Sequence, residues 1–270
     1  MNLKRFEDLT FQDDFIFGCV MHEKKLCKRL LEIILGLKIR DIKYLEEQKT
    51  INLSVVGKSV RLDVYVEDDQ RTIYNVEMQT TNPKNLPERS RYYLGLIDLN
   101  NLMKGEDYRE LKKTIIVFIC PEDIFGRGRS IYTFKNFCVQ EKDLELGDGA
   151  IKIFLNAKGT KGEVSPELRA FLDYVKDGRV SDTYTQELDN AVLKGKSSEE
   201  WRLDYMKLLA NYMDIRRESH EEGREEGRFE KALEDIKKIM RKLKLSEDDA
   251  MDTLEIPMEE RDSYRKFLNK

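Results

Sequence analysis

Histidine, cysteine, tryptophan and proline are scarce in this 270-residue chain, which contains 2, 4, 1 and 5 of them respectively. With only His22 and His220 available, we do not expect a mechanism that needs several histidines. The cysteines lie in apolar segments without Cys-x-x-Cys spacing, which indicates reduced core thiols rather than zinc ligands or disulfides. They are Cys19, Cys27, Cys120 and Cys138. This pattern predicts a cytoplasmic location.

Long hydrophobic runs and an excess of positive charge are missing as well. No N-terminal apolar run is long enough for a signal peptide, and no segment approaches the roughly 20 apolar residues of a membrane span, so we expect no membrane partner. Lys and Arg number 48 against 52 Asp and Glu, giving a net charge of −4. Because phosphate contacts supply most non-specific affinity for nucleic acids, binding DNA would require a local basic rim or a metal.

What the chain does contain is a strong hairpin pattern. Residues 61–66 and 72–80 alternate β-branched or aromatic residues with polar ones, which predicts two strands. The intervening residues 67–71 are entirely polar and predict a turn. At 40% hydrophobic residues, the whole chain is long enough to bury a full core, while its 37% charged residues indicate some solvated helix.

Two carboxylates converge on this hairpin. A turn centred on Asp69, or on residues 68–70, would place Asp63 opposite Asn75 or Glu77. Asp63 and Glu77 are then direct or diagonal neighbours, about 5–8 Å apart, and Gln79 projects to the same side as Glu77. Such a pair repels unless it shares a proton or meets a cation, and Mg²⁺ commonly uses one or two carboxylates. The alternative is an ordinary solvated face of a hairpin.

Asp63 followed by Glu77-Met-Gln79 on the next strand resembles the PD-(D/E)XK nuclease signature, in the variant where Gln replaces the terminal Lys. Together with other motifs across about residues 6–215, it resembles the Rpn group, the recombination-promoting nucleases or transposases of bacteria. The other motifs are Phe11-Gln-Asp-Asp-Phe-Ile-Phe17, Asn75-Val-Glu-Met-Gln79, Glu88-Arg-Ser-Arg-Tyr-Tyr93, Ile97-Asp98, Leu102-Met-Lys-Gly-Glu-Asp-Tyr108, Ile116-Val-Phe-Ile-Cys120 and Ile151-Lys-Ile-Phe-Leu-Asn156.

The resemblance implies an α/β, restriction-endonuclease-like core, with a mixed sheet flanked by helices and a helical C-terminal extension. In this interpretation Asp63, Glu77 and the backbone carbonyl of Met78 hold Mg²⁺ or Mn²⁺, and Gln79 orients the attacking water. Unlike lysine, a neutral amide at position 79 can only form hydrogen bonds, so activity could be slower or depend on a second metal.

A third acid could join this site. In the superfamily, the helix before the hairpin often contributes one, which makes Glu32 a candidate, while Asp13 or Asp14 opens a motif of the resembling group. Sequence spacing does not decide among the three. Each is equally compatible with a solvated acid or with a carboxylate that favours a helix start.

Basic residues that could contact DNA occur at two places. A predicted helix at about 88–103 follows the metal-binding strand directly, so Arg89 or Arg91 could donate paired hydrogen bonds to a phosphate. Arg127 and Arg129 lie in a glycine-containing loop that could also bind phosphate. The alternatives are ordinary exposed arginines and a flexible turn.

The remaining patterns predict the other helices and strands and their order along the chain. A helix is predicted over 10–35, with Thr10 as its cap and Gly36 as its end, followed by a strand at 50–56 and the turn Gly57-Lys58. Residues 114–120 form a short apolar run that is typical of a parallel strand buried on both faces. Further strands are predicted at 131–139 and 151–155, and Tyr92 and Tyr93 are assigned to the core.

From Pro166 onward the pattern is helical. We divide the chain into a nuclease-like domain at 1–195, a charged helical linker at 196–228 and a small helical segment at 229–270. Glu-Glu-Gly-Arg is repeated in the linker, where Gly223 and Gly227 each weaken a helix by about 1 kcal/mol. The apolar faces of the last helices need a partner, and a homodimer would provide one.

The function that these patterns favour is that of a Mg²⁺-dependent DNA endonuclease associated with recombination or mobile elements. Two alternatives stay open. The first is a catalytically weak or inactive nuclease fold that serves as a DNA-binding or protein-interaction module. The second is a transposase that acts on the ends of its own element.

Overall fold

The computed structural model describes residues 4–45, 50–51, 60–80 and 84–268. Contacts divide the chain into two compact units, Met1–Leu203 and Asp204–Lys270. The predicted turn Gly57-Lys58 and most of the predicted strand at 50–56 lie outside the described residues.

The first unit contains a six-stranded mixed sheet with the strand order β1-β4-β5-β6-β8-β7. Its central strands β5, β6 and β8 are parallel, and the remaining pairs are antiparallel. The strands are β1 (Ile42–Tyr44), β4 (Val64–Asp68), β5 (Ile73–Met78), β6 (Thr114–Cys120), β7 (Ile131–Phe134) and β8 (Ala150–Asn156), while β2 (Thr50–Ile51) and β3 (Val60–Arg61) pair separately. Every residue of β6 is buried, as its apolar run predicts.

The hairpin formed by β4 and β5 has one of the two predicted registers, but its first strand is interrupted. Its loop places Arg71 at φ 63°, and the N–H of Asp68 donates to the carbonyl of Thr72 at 3.0 Å. Val64 then pairs with Val76, and this register continues to place Asp63 opposite Glu77. The predicted continuous strand at 61–66 is broken, because residue 63 forms a bend between β3 and β4.

Five helices accompany the sheet within the described part of the first unit. They are α1 (Asp14–Met21), α2 (Lys24–Leu35), α3 (Leu86–Asn101), α4 (Pro166–Asp177) and α5 (Thr183–Lys196). The single helix predicted over 10–35 is therefore two helices. The first begins at Asp14 rather than after Thr10, because the Asp13 carboxylate accepts from the N–H and hydroxyl of Thr10 at 2.7 and 3.0 Å. Gly36 ends α2 at φ 65°, as predicted.

Helix α3 covers the part of the sheet that carries the site. Residues from its inner side share one core cluster with residues of β4, β5, β6 and β8. The largest members of this cluster are Tyr65, Tyr93, Phe118 and Phe154. Tyr93 is buried as predicted, whereas Tyr92, also assigned to the core, is 39% exposed because it lies on the outer side of the helix.

The second unit is helical. Helix α6 (Glu199–Leu243) begins in the first unit, and α7 (Glu247–Thr253) and α8 (Met258–Leu268) follow. The core of this unit comprises Ile236, Ala250, Met251 and Tyr264. Gly223 and Gly227 lie inside the continuous helix α6. Among the described residues, no helix is both long enough and apolar enough to cross a membrane.

Candidate active site

Two hydrogen bonds connect Asp63 with Glu77 and Met78 at the end of β5. The backbone N–H of Asp63 donates to Glu77 Oε1 at 3.3 Å. In return, the N–H of Met78 donates to Asp63 Oδ2 at 3.1 Å. The bend that interrupts the strand before β4 therefore places the Asp63 carboxylate against the end of β5, where Glu77 lies.

The electrostatic environment of Glu77 is unfavourable for its ionised form. Glu77 is only 3% exposed. Burial, and then the charge of Asp63, raise the pKa of Glu77 well above its ordinary value of 4.5, while the Asn75 amide and Arg89 act in the opposite direction. Further positive charge beside Glu77 would favour its ionised form.

Asn75 is a second buried polar residue beside Glu77. It is completely buried, and neither its Oδ1 nor its Nδ2 has a hydrogen-bond partner. The amide is close enough to Glu77 to lower the pKa of that carboxyl, but not at hydrogen-bonding geometry. A buried, unpaired amide is costly, so this position is suited to a ligand or water that completes it.

Gln79 is held by an arginine from the neighbouring helix. Its Oε1 accepts from Arg89 Nη1 at 3.0 Å, and its Nε2 donates to the carbonyl of Met78 at 3.3 Å. Arg89 lies in the first turn of α3, and its Nη2 donates to the hydroxyl of Tyr93 at 2.6 Å. The same Nη2 is 4.0 Å from Glu77 Oε2. The structure thus brings Asp63, Glu77, Gln79 and Arg89 together.

The three candidates for a further acid make contacts elsewhere. Glu32 accepts from the N–H of Ile39 and is paired with Lys28 and Lys38. Asp13 is bonded to Lys4 and Thr10, and Asp14 is exposed next to the N–H of Phe15. Among the residues that the structure describes, no three acidic, histidine or cysteine side chains gather into a metal-binding group.

The other predicted arginines lie on the surface. Arg91 is exposed on α3, and Arg127 and Arg129 are exposed in the loop after β6. That loop is ordered by Asp123, whose Oδ2 accepts from the N–H of Gly128 at 2.6 Å. Since β5 and β6 are parallel, the loop after β6 leaves the sheet at the same edge as Gln79 after β5.

The ligand set suits a hard divalent cation. Two carboxylates and the Met78 carbonyl offer only oxygen atoms, and Mg²⁺ characteristically combines one or two carboxylates with waters and substrate phosphate. A structural zinc site would require sulfur or imidazole ligands, of which the described residues bring none to the acid pair. The raised pKa of Glu77 and the unpaired Asn75 amide are consistent with a bound cation and its water.

The mixed sheet with parallel central strands, and the acid pair at the end of its hairpin, define an α/β fold of the PD-(D/E)XK nuclease type. The sequence profile described as "PD-(D/E)XK nuclease family transposase" matches residues 5–159, more than half of the chain, and the chain belongs to this family. The match includes all six strands of the sheet. The predicted fold class and the predicted resemblance to these nucleases and transposases are therefore confirmed.

A curated relative is similar over a longer stretch. The chain is 25% identical over 206 residues to UvrABC system protein A of Mycoplasmopsis pulmonis (strain UAB CTIP). The similarity covers 68% of this chain but only 21% of the relative, so the chain spans about a fifth of that protein's length. No solved structure matches the chain significantly.

The sequence interpretation missed how Arg89 is oriented. It offered Arg89 or Arg91 as a contact to the DNA backbone, whereas the structure places the guanidinium of Arg89 near the rings of Tyr93 and Phe118, at 5.3 and 5.8 Å from their centres. This arrangement favours a role inside the site over the predicted phosphate contact. The spacing of Arg89 and Tyr93, four residues apart on one helix, was a signal that could have indicated the pairing.

Proposed function

We propose that the protein is a metal-dependent DNA endonuclease of the Rpn group, hydrolysing phosphodiester bonds in recombination or in the movement of mobile elements. The observation that carries this proposal is the buried Glu77 hydrogen-bonded to Asp63 at the end of β5, in a chain of the PD-(D/E)XK nuclease family. A divalent cation would stabilise both carboxylates in their ionised forms, and such an ion can promote phosphodiester hydrolysis.

Each residue of the site has a role in this proposal. Asp63, Glu77 and the Met78 carbonyl hold Mg²⁺ or Mn²⁺. When bound, the ion stabilises charge on the phosphoryl oxygens and lowers the pKa of the attacking water. Gln79 orients that water, because Oε1 has a second lone pair beside the one that accepts from Arg89. The reciprocal bonds between Asp63 and the end of β5 keep the two carboxylates preorganised.

The substrate is placed by surface charge. Arg91, Arg127 and Arg129 are exposed and contact DNA phosphates in this proposal, with the loop after β6 at the same edge of the sheet as Gln79. The enzyme acts in the cytoplasm. It cuts both strands as a homodimer formed through the C-terminal helices, and residues 196–228 are the charged helical linker to them.

A second candidate function is a non-catalytic module that binds DNA or protein. Two observations favour it. Position 79 is a neutral amide where the family signature has lysine, and the described residues supply no third acid to the pair. A weakly bound metal would then leave the fold with little activity.

A plasmid-nicking assay with Mg²⁺ or Mn²⁺ separates these functions. We expect the parent chain to nick DNA, and Asp63→Asn and Glu77→Gln to be slower by at least about a hundredfold, because each removes a proposed ligand. Glu141→Gln, at an exposed position in the segment between β7 and β8, is the matched control. Either site variant nicking as fast as the parent would eliminate the assignment, and DNA binding without nicking would favour the module. Strand transfer to element ends would indicate a transposase.

A further inference from the structure

Arg89 brings a positive charge to the acid pair, with its Nη2 4.0 Å from Glu77 Oε2. It is fixed on several sides. It donates to Gln79 through Nη1 and to Tyr93 through Nη2, and its guanidinium lies against the rings of Tyr93 and Phe118. Its side chain is 32% exposed. A guanidinium held by two hydrogen bonds and two rings is preorganised, so it keeps its place when substrate binds.

The guanidinium of Arg89 brings a positive charge next to position 79, where this chain has an uncharged residue. In the family signature the residue there is a lysine, and here it is Gln79, whose amide carries no charge. The guanidinium contacts the Gln79 amide directly at 3.0 Å and approaches Glu77 at 4.0 Å. The amide and the positive charge are therefore contributed by two residues, Gln79 at the end of the strand and Arg89 on α3.

We infer that Arg89 is a positioning residue that holds the Gln79 amide and supplies, from the helix, the positive charge that a lysine at position 79 would have supplied from the strand. This inference rests on the proposed nuclease function and adds a residue to it. Unit charges 4 Å apart interact substantially even near a protein surface, so the guanidinium stabilises negative charge that develops beside Gln79. Arg89 does not contact the DNA backbone in this arrangement.

The test combines removal of the charge with its relocation. For Arg89→Gln we expect kcat to fall by about 10²–10³, the usual effect of losing one preorganised electrostatic group. The pH at which the rate reaches half of its plateau should rise by at least about one unit, because a hydroxide beside Gln79 loses its cation. Arg89→Lys keeps the charge but not the paired hydrogen bonds. We therefore expect the pH of half-maximal rate to equal that of the parent, and kcat to fall about tenfold.

The double variant Gln79→Lys/Arg89→Gln moves the charge from the helix to the strand. We expect the rate of this double variant to return to within about tenfold of the parent. The pH at which its rate is half-maximal should also return to the parental value. A residue needed only for folding would not be replaced in this way, because a lysine at position 79 cannot re-form the bond to Tyr93. Arg109→Gln is the control, since Arg109 pairs only with Asp107 on the surface, with its side chain 88% exposed.

Calorimetry with Mn²⁺ gives a readout that does not depend on cleavage. Removing the guanidinium removes both its repulsion of the ion and its attraction for the carboxylates that hold the ion, so we expect the affinity of Arg89→Gln for Mn²⁺ to stay within about threefold of the parent. A loss of tenfold or more would show that Arg89 merely maintains the shape of the acid pair, and would overturn the inference. So would an Arg89→Gln variant with the parental rate, or a double variant that is not restored. A parent chain that cleaves no DNA would instead refute the proposed function itself.

Discussion

The sharpest test of the acid pair is a measurement of stability rather than of cleavage. In Glu77→Gln an amide replaces a buried carboxylate of nearly the same shape. The raised pKa of Glu77 means that the native state retains a proton which the unfolded state has already lost. The stability associated with this proton is fully present below the unfolded pKa near 4.5 and is lost as the pH rises through the native pKa. At pH 8 without metal, Glu77 therefore destabilises the fold.

The expected magnitudes follow from this sign. Glu77→Gln should be more stable than the parent at pH 8, by about 0.5–2 kcal/mol, the range of single stabilising substitutions, and the difference should vanish towards pH 4. A divalent ion at about ten times its dissociation constant stabilises the parent by RT ln 11, or about 1.4 kcal/mol. For a unit the size of Met1–Leu203 this corresponds to an increase in Tm of about 3–6 °C.

Differential scanning calorimetry at pH 4 and pH 8, with and without Mn²⁺, measures both effects. At pH 8 the ion should raise the Tm of the parent. Without the ion, the Tm of Glu77→Gln should be higher than that of the parent, and the ion should raise it only slightly. Glu141→Gln, at an exposed position, should behave like the parent under all conditions. If Glu77→Gln is less stable than the parent at pH 8, and Mn²⁺ raises Tm equally in both, then Glu77 is a structural residue and the reasoning about the site is refuted.

Three further predictions concern stability and can be measured by chemical denaturation. Lys112→Met should cost about 1–3 kcal/mol, because Lys112 donates to the buried Glu67 carboxylate at 2.9 Å. Gly195→Ala should cost about 1–3 kcal/mol, because its Cβ would overlap the ring of Trp201. Gly36→Ala should cost about 1 kcal/mol, because φ 65° at the end of α2 is unfavourable for any residue with a Cβ. A loss below about 0.3 kcal/mol in any of the three would contradict the contact or conformation concerned.

Much of the sheet was predictable because its pattern is local. Residues 114–120 form an uninterrupted run that is rich in β-branched residues and bounded by Lys113 and Pro121, and they form β6 within the described sheet. The hairpin was equally evident, but its register was not. That register depends on Arg71 adopting φ 63°, a conformation that the residue type does not suggest, so the pattern left Asn75 and Glu77 as equal partners for Asp63.

The less predictable parts of the site depend on contacts between distant segments. Glu32 was a reasonable third acid because it lies in an apolar helix, but its carboxylate turns to the N–H of Ile39 just beyond the end of α2. Arg89 was assigned to the surface because nothing in its neighbourhood along the chain shows that Phe118, on β6, lies beneath it. Tertiary packing decided both orientations, and a single sequence carries little information about it.

The site differs from the rest of the described sheet in the pairing of its buried polar groups. Along β5, alternation directs Asn75, Glu77 and Gln79 to one face, and together they place an unpaired amide and a destabilised acid in a strand that is buried throughout. Buried polar groups elsewhere in the described sheet are paired, as Glu67 is with Lys112. An unpaired group in a folded protein requires an explanation, and Asn75 is one, two residues from Glu77 on the same strand. A cation and its water bound there would remove this local cost, which is why we propose the end of this hairpin as the metal-binding site.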